Sequence, residues 1–199
     1  MRVSRERAAK NRDRIIDVAG RLFRERGFDG IGVANLMKAA GLTHGGFYGN
    51  FESKEDLAVE ACERVLSRST ETWPAMAAKD PEAPLKGLLN QYLTARHRDR
   101  PGEGCIYAAL ASDVARQNSP ALRRTFTAGL RPLIDTLVRI VPGRSRAARR
   151  QKALACLSAM VGALILARAV DDAELSNEIL AAARALSGEP SLTGVNHAR

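Results

Sequence analysis

The stretch that most constrains the fold runs from Gly32 to Phe51 and has the pattern of two short helices joined by a tight turn. Four apolar residues recur at intervals of three or four and predict the buried face of a first helix: Val33, Leu36, Met37 and Ala40. Gly41 follows where a residue with positive φ commonly ends a helix, and Thr43 is placed to cap the next one. Two helices around a short glycine-containing turn form a helix-turn-helix, whose second helix enters the DNA major groove.

The second helix of this motif has one apolar face and one polar face. Phe47 and Phe51 are four residues apart and are expected to point inward. The residues expected to face outward are Thr43, His44, Gly45, Tyr48 and Asn50. The motif therefore predicts a polar recognition surface above a small aromatic core.

The composition indicates an all-α chain with a basic N-terminal part. Hydrophobic residues make up 45% of the 199 residues, and strand-forming runs are scarce. The net charge is +9, which suits a polyanionic partner, although many basic proteins bind no nucleic acid. Residues 1–54 carry eleven basic and six acidic residues, so +5 of this charge lies beside the helix-turn-helix.

Two further helices are predicted around the motif. Apolar residues recur along a helix from about Arg7 to Arg26, which Gly27 ends. Ser53 is the expected cap of the next helix, with acidic residues in its first turn, and Pro74 is expected to weaken or end it.

The pattern of the remaining chain predicts five more helices. The whole sequence thus predicts about nine helices. They span about residues 85–98, 105–117, 120–140, 146–170 and 172–186, with Ser119 and Asp171 as caps of the third and fifth of these. Pro132 is a candidate for a bend. We expect a DNA-binding domain over residues 1–53, a ligand-binding and dimerisation domain over 54–188, and a disordered tail over 189–199.

Several classes of protein are disfavoured. The N-terminus has no apolar segment of a signal peptide, and the longest apolar run, residues 157–167, is shorter than a membrane span. Cys62, Cys105 and Cys156 have no disulfide or metal-binding spacing, so we expect reduced thiols in the cytoplasm and no metal or cofactor. Three scattered histidines and the absence of a P-loop, nucleophile elbow or zinc motif argue against an enzyme.

The run from Ala39 to Leu57, AAGLTHGGFYGNFESKEDL, resembles the signature that ends the DNA-binding domain of TetR/AcrR-type transcriptional regulators. The first helix, with IIDVA and LFRERGF, is similar to that of the family, so the resemblance covers residues 10–60. Two positions depart from the family pattern. Asn50 replaces a usual His and can still donate a hydrogen bond, and Gly32 replaces a usual Ser or Thr cap, which removes a hydroxyl group that could contact phosphate.

The resemblance implies a homodimer that binds a palindromic double-stranded DNA operator. Each protomer would place one recognition helix in the major groove, and the C-terminal domain would bind a small-molecule effector that lowers DNA affinity. Most members of the family are repressors, so repression is the expectation here.

The DNA contacts expected within this frame lie on the motif and its two flanks. They are Lys10, Val33, Thr43, His44, Gly45, Gly46, Tyr48, Asn50 and Lys54. Glycines at 45 and 46 disfavour a helix by about 1 kcal/mol each, so we interpret them as allowing close approach of backbone to DNA. For His44 two interpretations are open, contact with a base and exposure to solvent. For Lys10 and Arg12 the alternatives are contact with the DNA backbone and a solvated charged face.

Two further sets of residues are candidates in the C-terminal domain. Those for an effector cavity are Trp73, Met76, Tyr92, Cys105, Tyr107 and Phe126, although aromatic residues at helical spacing more often form core. Those for a dimer interface on the last two helices are Ala155, Ala159, Gly162, Leu166, Ile179 and Ala183; the alternative is a fully buried internal helix.

Cys105 supports an alternative function. It follows two glycines at a predicted helix start, where unpaired N–H groups stabilise a thiolate, so a thiol sensor of oxidants or electrophiles is the second hypothesis. The competing interpretation is a small core residue, which is the usual role of a buried cysteine. A helical protein that binds DNA without sequence preference is the hypothesis outside the regulator class.

Overall fold

The computed structural model describes residues 5–185, in which nine α-helices and no β-strand occur, confirming the predicted all-α class. The expected tail over residues 189–199 lies outside the described residues. The helices are α1 (Arg5–Arg26), α2 (Val33–Ala39), α3 (Lys54–Ala77), α4 (Pro84–Tyr92), α5 (Ala95–Asp99), α6 (Ile106–Arg116), α7 (Pro120–Ile140), α8 (Arg146–Ala169) and α9 (Ala173–Ala185).

The N-terminal helices enclose a small apolar core, as the spacing of the apolar residues predicts. Leu36 and Met37 of α2 are buried against α1, together with Phe47 and Phe51 of the segment that follows. Gly27 and Gly41 have φ values of 75° and 69°, so both end their helices in the left-handed conformation that favours glycine. Gly32 caps α2 without a side-chain hydrogen bond, as its missing hydroxyl group requires.

The predicted second helix of the motif is a short 3₁₀ helix, His44–Gly46, followed by turns, and we call residues 43–51 the recognition segment. Thr43 occupies the capping position, but its side chain makes no capping hydrogen bond. The prediction of a regular helix was wrong here, because glycine stands at positions 45, 46 and 49 and each glycine disfavours helix by about 1 kcal/mol.

Helix α3 connects the helix-turn-helix to the rest of the molecule. Ser53 caps it by accepting a hydrogen bond from the Asp56 N–H at 3.0 Å, as predicted. Pro74 lies inside the helix, which continues to Ala77, so this proline does not end the helix, one of the two effects expected of it. Because α3 packs on both α1 and α7, it belongs to the cores of both expected domains.

The predicted fifth helix is divided into α4 and α5. Leu93 departs from helical backbone angles, and Thr94 caps α5 by accepting a hydrogen bond from the His97 N–H at 3.1 Å. Ser119 and Pro120 begin α7 as predicted. At the start of α9 the capping residue is Asp172 rather than Asp171, since its carboxylate accepts from the backbone N–H groups of residues 174 and 175.

Helices α3 and α7 run side by side away from the helix-turn-helix. Ser119 donates to the Glu55 carboxylate at 2.5 Å near the start of both helices, and further along Gly129 lies against Leu66. Helix α8 then returns along α7, and α9 packs on α8. This arrangement places the segment between α5 and α6, residues 100–105, against α1.

Among the described residues, only α8 has the length and composition to cross a membrane. An 18-residue window of this helix has a mean hydropathy of 1.6, and 33% of the window is buried inside the molecule. The longest uninterrupted apolar run did not reveal this property. The criterion is weak, because the core helix of a soluble protein meets it as well.

Candidate DNA-binding surface and effector cavity

The recognition segment presents a polar surface on a buried aromatic base. Phe47 is 1% exposed and packs against the Phe51 ring at 5.6 Å, whereas Tyr48 is 69% exposed. The Phe47 and Tyr48 rings are perpendicular with their centres 5.3 Å apart, so the buried ring supports the exposed one. Thr43, His44 and Gly45 are also exposed, in agreement with the predicted outward positions.

Other residues predicted to contact DNA have internal partners. The Asn50 amide donates to the Gly46 carbonyl at 2.7 Å and closes the turn of the recognition segment. Lys10 is exposed and forms an ion pair with Glu6 at 2.6 Å. Arg12 lies over the Phe51 ring and pairs with Glu60 at 2.5 Å, so it holds α1 to α3.

The flanks of the recognition segment contribute less accessible positions. Val33 and Lys54, at the first residues of α2 and α3, are partly buried. Lys54 lies beside Asp29 and Glu55 in a shallow depression between the helix-turn-helix and the start of α7. Its positive charge therefore lies in the same depression as two carboxylate groups, which weaken its field.

A cavity of about 450 Å³ opens between α3, α4, α6 and α7. Five of the six residues predicted from the sequence line it: Trp73, Met76, Tyr92, Cys105 and Tyr107. Phe126 does not line the cavity, because it is buried behind Tyr107 with the two rings 5.3 Å apart. The Tyr107 hydroxyl group donates to the Phe126 carbonyl at 2.9 Å, which fixes this part of the floor.

The polar rim of the cavity was not predicted. It includes Arg96, Arg100 and Glu103, none of which was among the cavity residues predicted from the sequence. Both arginines pair with the Glu103 carboxylate, at 3.4 Å and 3.5 Å. The cluster of basic residues beside Pro101 and Gly102 was the sequence feature that could have indicated a charged rim. Only the fold shows that this loop forms a cavity wall.

His97 holds this wall through both nitrogen atoms of its ring. Nδ1 donates to the Tyr92 carbonyl at 2.6 Å, and Nε2 accepts from the Cys105 N–H at 2.8 Å. Burial lowers the pKa of His97, which favours the neutral form that this pair of bonds requires. The ring thus links α4 to the first residues of α6.

The three thiols lie in different environments. Burial raises the pKa of Cys62 to about 12 and that of Cys156 to about 11, so both remain protonated near neutral pH. Cys105 is half-buried, precedes α6 as its cap residue and lines the cavity. The Tyr92 hydroxyl group is buried beside it without a hydrogen-bond partner of good geometry among the described residues, and burial raises the pKa of this phenol.

Helices α8 and α9 leave an apolar face uncovered. Apart from Tyr48, the large hydrophobic residues that are exposed in the described chain all lie on these two helices: Leu154, Ile165, Leu166 and Leu175. Ala155 of α8 is also exposed, and a Cβ atom at Gly162 of the same helix would meet nothing within 4 Å. The alternative of a fully buried α8 is therefore wrong.

The predicted interface residues divide between this face and the core. Ala155 and Leu166 are exposed, whereas Ala159, Gly162 and Ile179 are partly buried. Ala183 is 8% exposed and packs within its own protomer. We call Leu154, Ala155, Gly162, Ile165, Leu166 and Leu175 the outer face.

Comparison with known proteins identifies the N-terminal part of the chain. Residues 15–61 match the family model described as bacterial regulatory proteins, tetR family. This match assigns the helix-turn-helix part of the chain, residues 15–61, to the tetR family. Regulators of the TetR/AcrR family are generally not enzymes. No group of three or more His, Cys, Asp or Glu residues within the described chain could hold a metal ion.

Two curated relatives resemble this chain over part of their lengths. The HTH-type transcriptional regulator AcrR of Shigella flexneri is 37% identical over 87 residues, which cover 44% of this chain and 40% of AcrR. The HTH-type transcriptional repressor DhaR of Mycobacterium sp. (strain GP1) is 28% identical over 133 residues, which cover 64% of this chain and 65% of DhaR. The matched part is thus less than two thirds of either relative.

Solved structures resemble the fold over nearly the whole chain. E. coli NemR in its reduced form is 23% identical with a TM-score of 0.74, and the match covers 90% of this chain and 95% of NemR. A TetR transcriptional regulator from Chloroflexus aurantiacus J-10-FL is also 23% identical, with a TM-score of 0.75 and coverage of 92% and 94%. These similarities support the two-part helical architecture.

Proposed function

We propose that the protein is a sequence-specific DNA-binding transcriptional regulator, a repressor that a small-molecule effector releases from its operator. The observation that carries this proposal is the exposed Tyr48 on the buried Phe47, at the tip of a helix-turn-helix with a basic flank. A phenol group suits a phosphate oxygen or a base edge, and a large aromatic side chain is seldom left in water without a partner. The printed names of AcrR and DhaR, a regulator and a repressor, agree with this function.

The proposed contacts are those that the recognition segment exposes. Thr43, His44, Gly45 and Tyr48 face solvent together, Gly46 is partly exposed, and Lys54 lies at the adjoining helix start. Asn50 is assigned to closing the turn, because its amide is already bonded to Gly46. Lys10 reaches the DNA backbone only if its exposed ion pair with Glu6 opens, which costs at most about 1 kcal/mol.

The experiment is a comparison of Tyr48→Ala with wild type on a duplex selected from a random library by the wild-type protein. Tyr48→Ala should weaken binding at least about tenfold without lowering the melting temperature, because the side chain is 69% exposed. Lys54→Ala should weaken binding less and reduce its dependence on salt. Unchanged affinity in both variants would overturn the contact model.

Measuring the affinity of the wild type for the selected duplex and for random DNA distinguishes the regulator from a helical protein that binds DNA without sequence preference. A regulator should prefer the selected duplex over random DNA by a factor of about 10³ or more. Equal affinity for the two duplexes would favour the general DNA-binding protein. A turnover number measured without DNA binding would instead point to an enzyme.

The proposed quaternary structure is a homodimer that acts in the cytoplasm on a palindromic operator. The outer face of α8 and α9 would pair with its copy, since its small residues allow close helix approach and its leucine and isoleucine side chains supply apolar area. Burial on a partner also accounts for the apolar character of α8 without a membrane. Ile179 and Ala159 would lie at the edge of this contact, and Ala183 inside the protomer.

The proposed effector site is the cavity between α3, α4, α6 and α7. It has the volume of a small-molecule site and combines an aromatic floor with a polar rim. Its wall at residues 100–105 packs on α1, and Arg24 of α1 donates to the Gly102 carbonyl through Nε at 3.0 Å. An effector that displaces this wall would therefore move the helix that supports the recognition segment.

A second candidate function is thiol sensing by Cys105, which the cavity lining favours over the other two thiols. An electrophile such as N-ethylmaleimide would form a bond between Sγ and a ring carbon, and the thiol proton would transfer to the neighbouring carbon. Release of DNA by N-ethylmaleimide in wild type, but not in Cys105→Ser, supports this function. Equal release from both proteins would make the Cys105 thiol structural.

A further inference from the structure

The wall of the cavity between α5 and α6 has an excess of positive charge. Arg96 and Arg100 both line the cavity, and both pair with the single carboxylate of Glu103, at 3.4 Å and 3.5 Å. One carboxylate neutralises only one of the two guanidinium groups. His97 adds no charge, because its Nε2 atom accepts the Cys105 N–H and its ring is neutral.

Two half-buried arginines behind this wall increase the positive potential. Arg24 donates to the Gly102 carbonyl, and Arg168 donates to the carbonyls of His97 and Arg98 at 2.7 Å and 3.0 Å. Neither forms an ion pair among the described residues. Burial lowers the pKa of both guanidinium groups, but they remain charged, since arginine is not deprotonated in proteins.

The rest of the cavity lining includes a group of aromatic and apolar side chains. Trp73 and Tyr92 pack nearly perpendicular with their ring centres 5.7 Å apart, and Tyr107 continues this surface. Met76 and Leu133 complete it, the first partly buried and the second buried. These side chains offer apolar surface to a ring, and the exposed guanidinium groups of Arg96 and Arg100 offer positive charge to an anionic group.

We propose that the cavity selects small aromatic monoanions, with the carboxylate at Arg96 and Arg100 and the ring against Trp73. This assignment rests on the cavity being the effector site and names the chemical class of its ligand. A ligand carboxylate would supply the second negative charge that this pair of arginines lacks, through charge-assisted hydrogen bonds, which are stronger than neutral ones. A cation of the same shape meets the repulsion of the arginines, and a neutral amide gains only ordinary hydrogen bonds.

The chain contains one tryptophan, and it lines the cavity, so ligand binding can be measured without knowledge of the operator. Benzoate, benzamide and benzylamine have one ring and charges of −1, 0 and +1 at pH 7.5. We expect benzoate to change Trp73 fluorescence with a Kd at least about tenfold lower than that of benzamide, and benzylamine to bind weakest. Equal binding of benzamide or benzylamine, or no saturable benzoate signal, would overturn the proposal.

A pair of matched variants tests the role of the wall. Arg96→Gln with Arg100→Gln should weaken benzoate about tenfold and leave benzamide unchanged. Arg124→Gln with Arg131→Gln removes the same charge from exposed positions of α7 outside the cavity and should leave both ligands unchanged. Equal loss in the two double variants would mean that net charge, not this wall, attracts the anion.

The two proposals fail in different measurements. If benzoate does not bind but the protein still prefers its selected duplex, the ligand class is wrong and the regulator remains. If benzoate binds as expected but no duplex is preferred, the regulator is wrong and the cavity still selects aromatic anions.

Discussion

At the residue scale, His97 makes the molecule sensitive to pH. Its Nε2 atom can accept the Cys105 N–H only while the ring is neutral, and burial lowers the pKa of His97 below the value of about 6.5 of an unfolded chain. As pH falls through this value, the unfolded chain binds a proton that the folded ring does not bind. The contribution of His97 to folding stability is therefore fully present above about pH 6.5 and is lost as the solution becomes more acidic.

The prediction is that the urea midpoint of the wild type falls between pH 7 and pH 5, and that His97→Gln reduces this dependence. The variant has a lower midpoint at pH 7, because it lacks one or both ring hydrogen bonds, so the slope with pH is the informative quantity. His44→Gln, which changes an exposed histidine, is the control and should keep the wild-type slope. Parallel profiles for wild type and His97→Gln would assign the acid sensitivity to carboxylates.

Residues whose role is local were predictable from the sequence. Gly41 ends a helix because its positive φ excludes other residues, and Ser53 and Ser119 cap helices through bonds that span three residues. His97 was not predictable in this way, since its partners belong to a different helix and to the next loop. The pattern of the sequence specifies bonds within a turn, whereas bonds between elements depend on the packing of the whole domain.

At the element scale, the recognition segment shows where local propensity and motif disagree. The helix-turn-helix pattern predicted a helix, but glycines at 45, 46 and 49 leave only a 3₁₀ turn, held by the Asn50 bond to the Gly46 carbonyl. A Cβ atom at Gly45 would meet nothing within 4 Å, so packing inside the protein does not require this glycine. Close approach to DNA remains the reason that we propose for it.

Gly45→Ala should therefore bind DNA at least about tenfold more weakly, although the variant folds as well as wild type or better by up to about 1 kcal/mol. The measurements are fluorescence anisotropy with the selected duplex and urea unfolding of the free protein. Tighter binding by Gly45→Ala would show the opposite cause, namely that the glycine weakens a helix that DNA must order.

The helix boundaries also show that local features were predictable from the sequence and that contacts between elements were not. The apolar spacing located α1, α6, α7 and α8 to within two residues, because an amphipathic face repeats along the helix. The break between α4 and α5 was missed, since Leu93 and Thr94 have no glycine or proline to mark it. The aromatic floor of the cavity was predicted and its arginine rim was not, because only the fold brings the loop at 100–103 to the floor.

At the scale of the whole molecule, the outer face of α8 and α9 is the contact that we propose for the homodimer. Leu166 lies on the outer face and is 56% exposed. Leu166→Glu therefore places a charge in the proposed dimer contact without disturbing the core of the protomer. The variant should sediment as a monomer of 21.5 kDa and bind the selected duplex at least about tenfold more weakly, since one half-site is lost. Ala128→Glu makes a comparable change on the exposed side of α7 and should remain dimeric. A dimeric Leu166→Glu would place the interface elsewhere.

We propose that the cavity acts on the DNA-binding surface through Arg24, whose guanidinium group joins α1 to the carbonyl of Gly102 in the cavity wall. Carbamidomethylation of Cys105 by iodoacetamide adds a polar group beside this wall and serves as a fixed occupant of the cavity, in a background with Cys62→Ala and Cys156→Ala. Modification should lower DNA affinity several-fold when Arg24 is present.

The variant Arg24→Met tests this connection. Without modification it should still bind DNA, with a free energy of unfolding reduced by about 1–3 kcal/mol because a buried carbonyl loses its donor. Modification of this variant should no longer change its DNA affinity. Arg24→Lys keeps the charge and one hydrogen bond and should retain part of the response. If the modified and unmodified forms differ as much in Arg24→Met as in the parent, the cavity acts on DNA through α3 instead, by its contacts with α7.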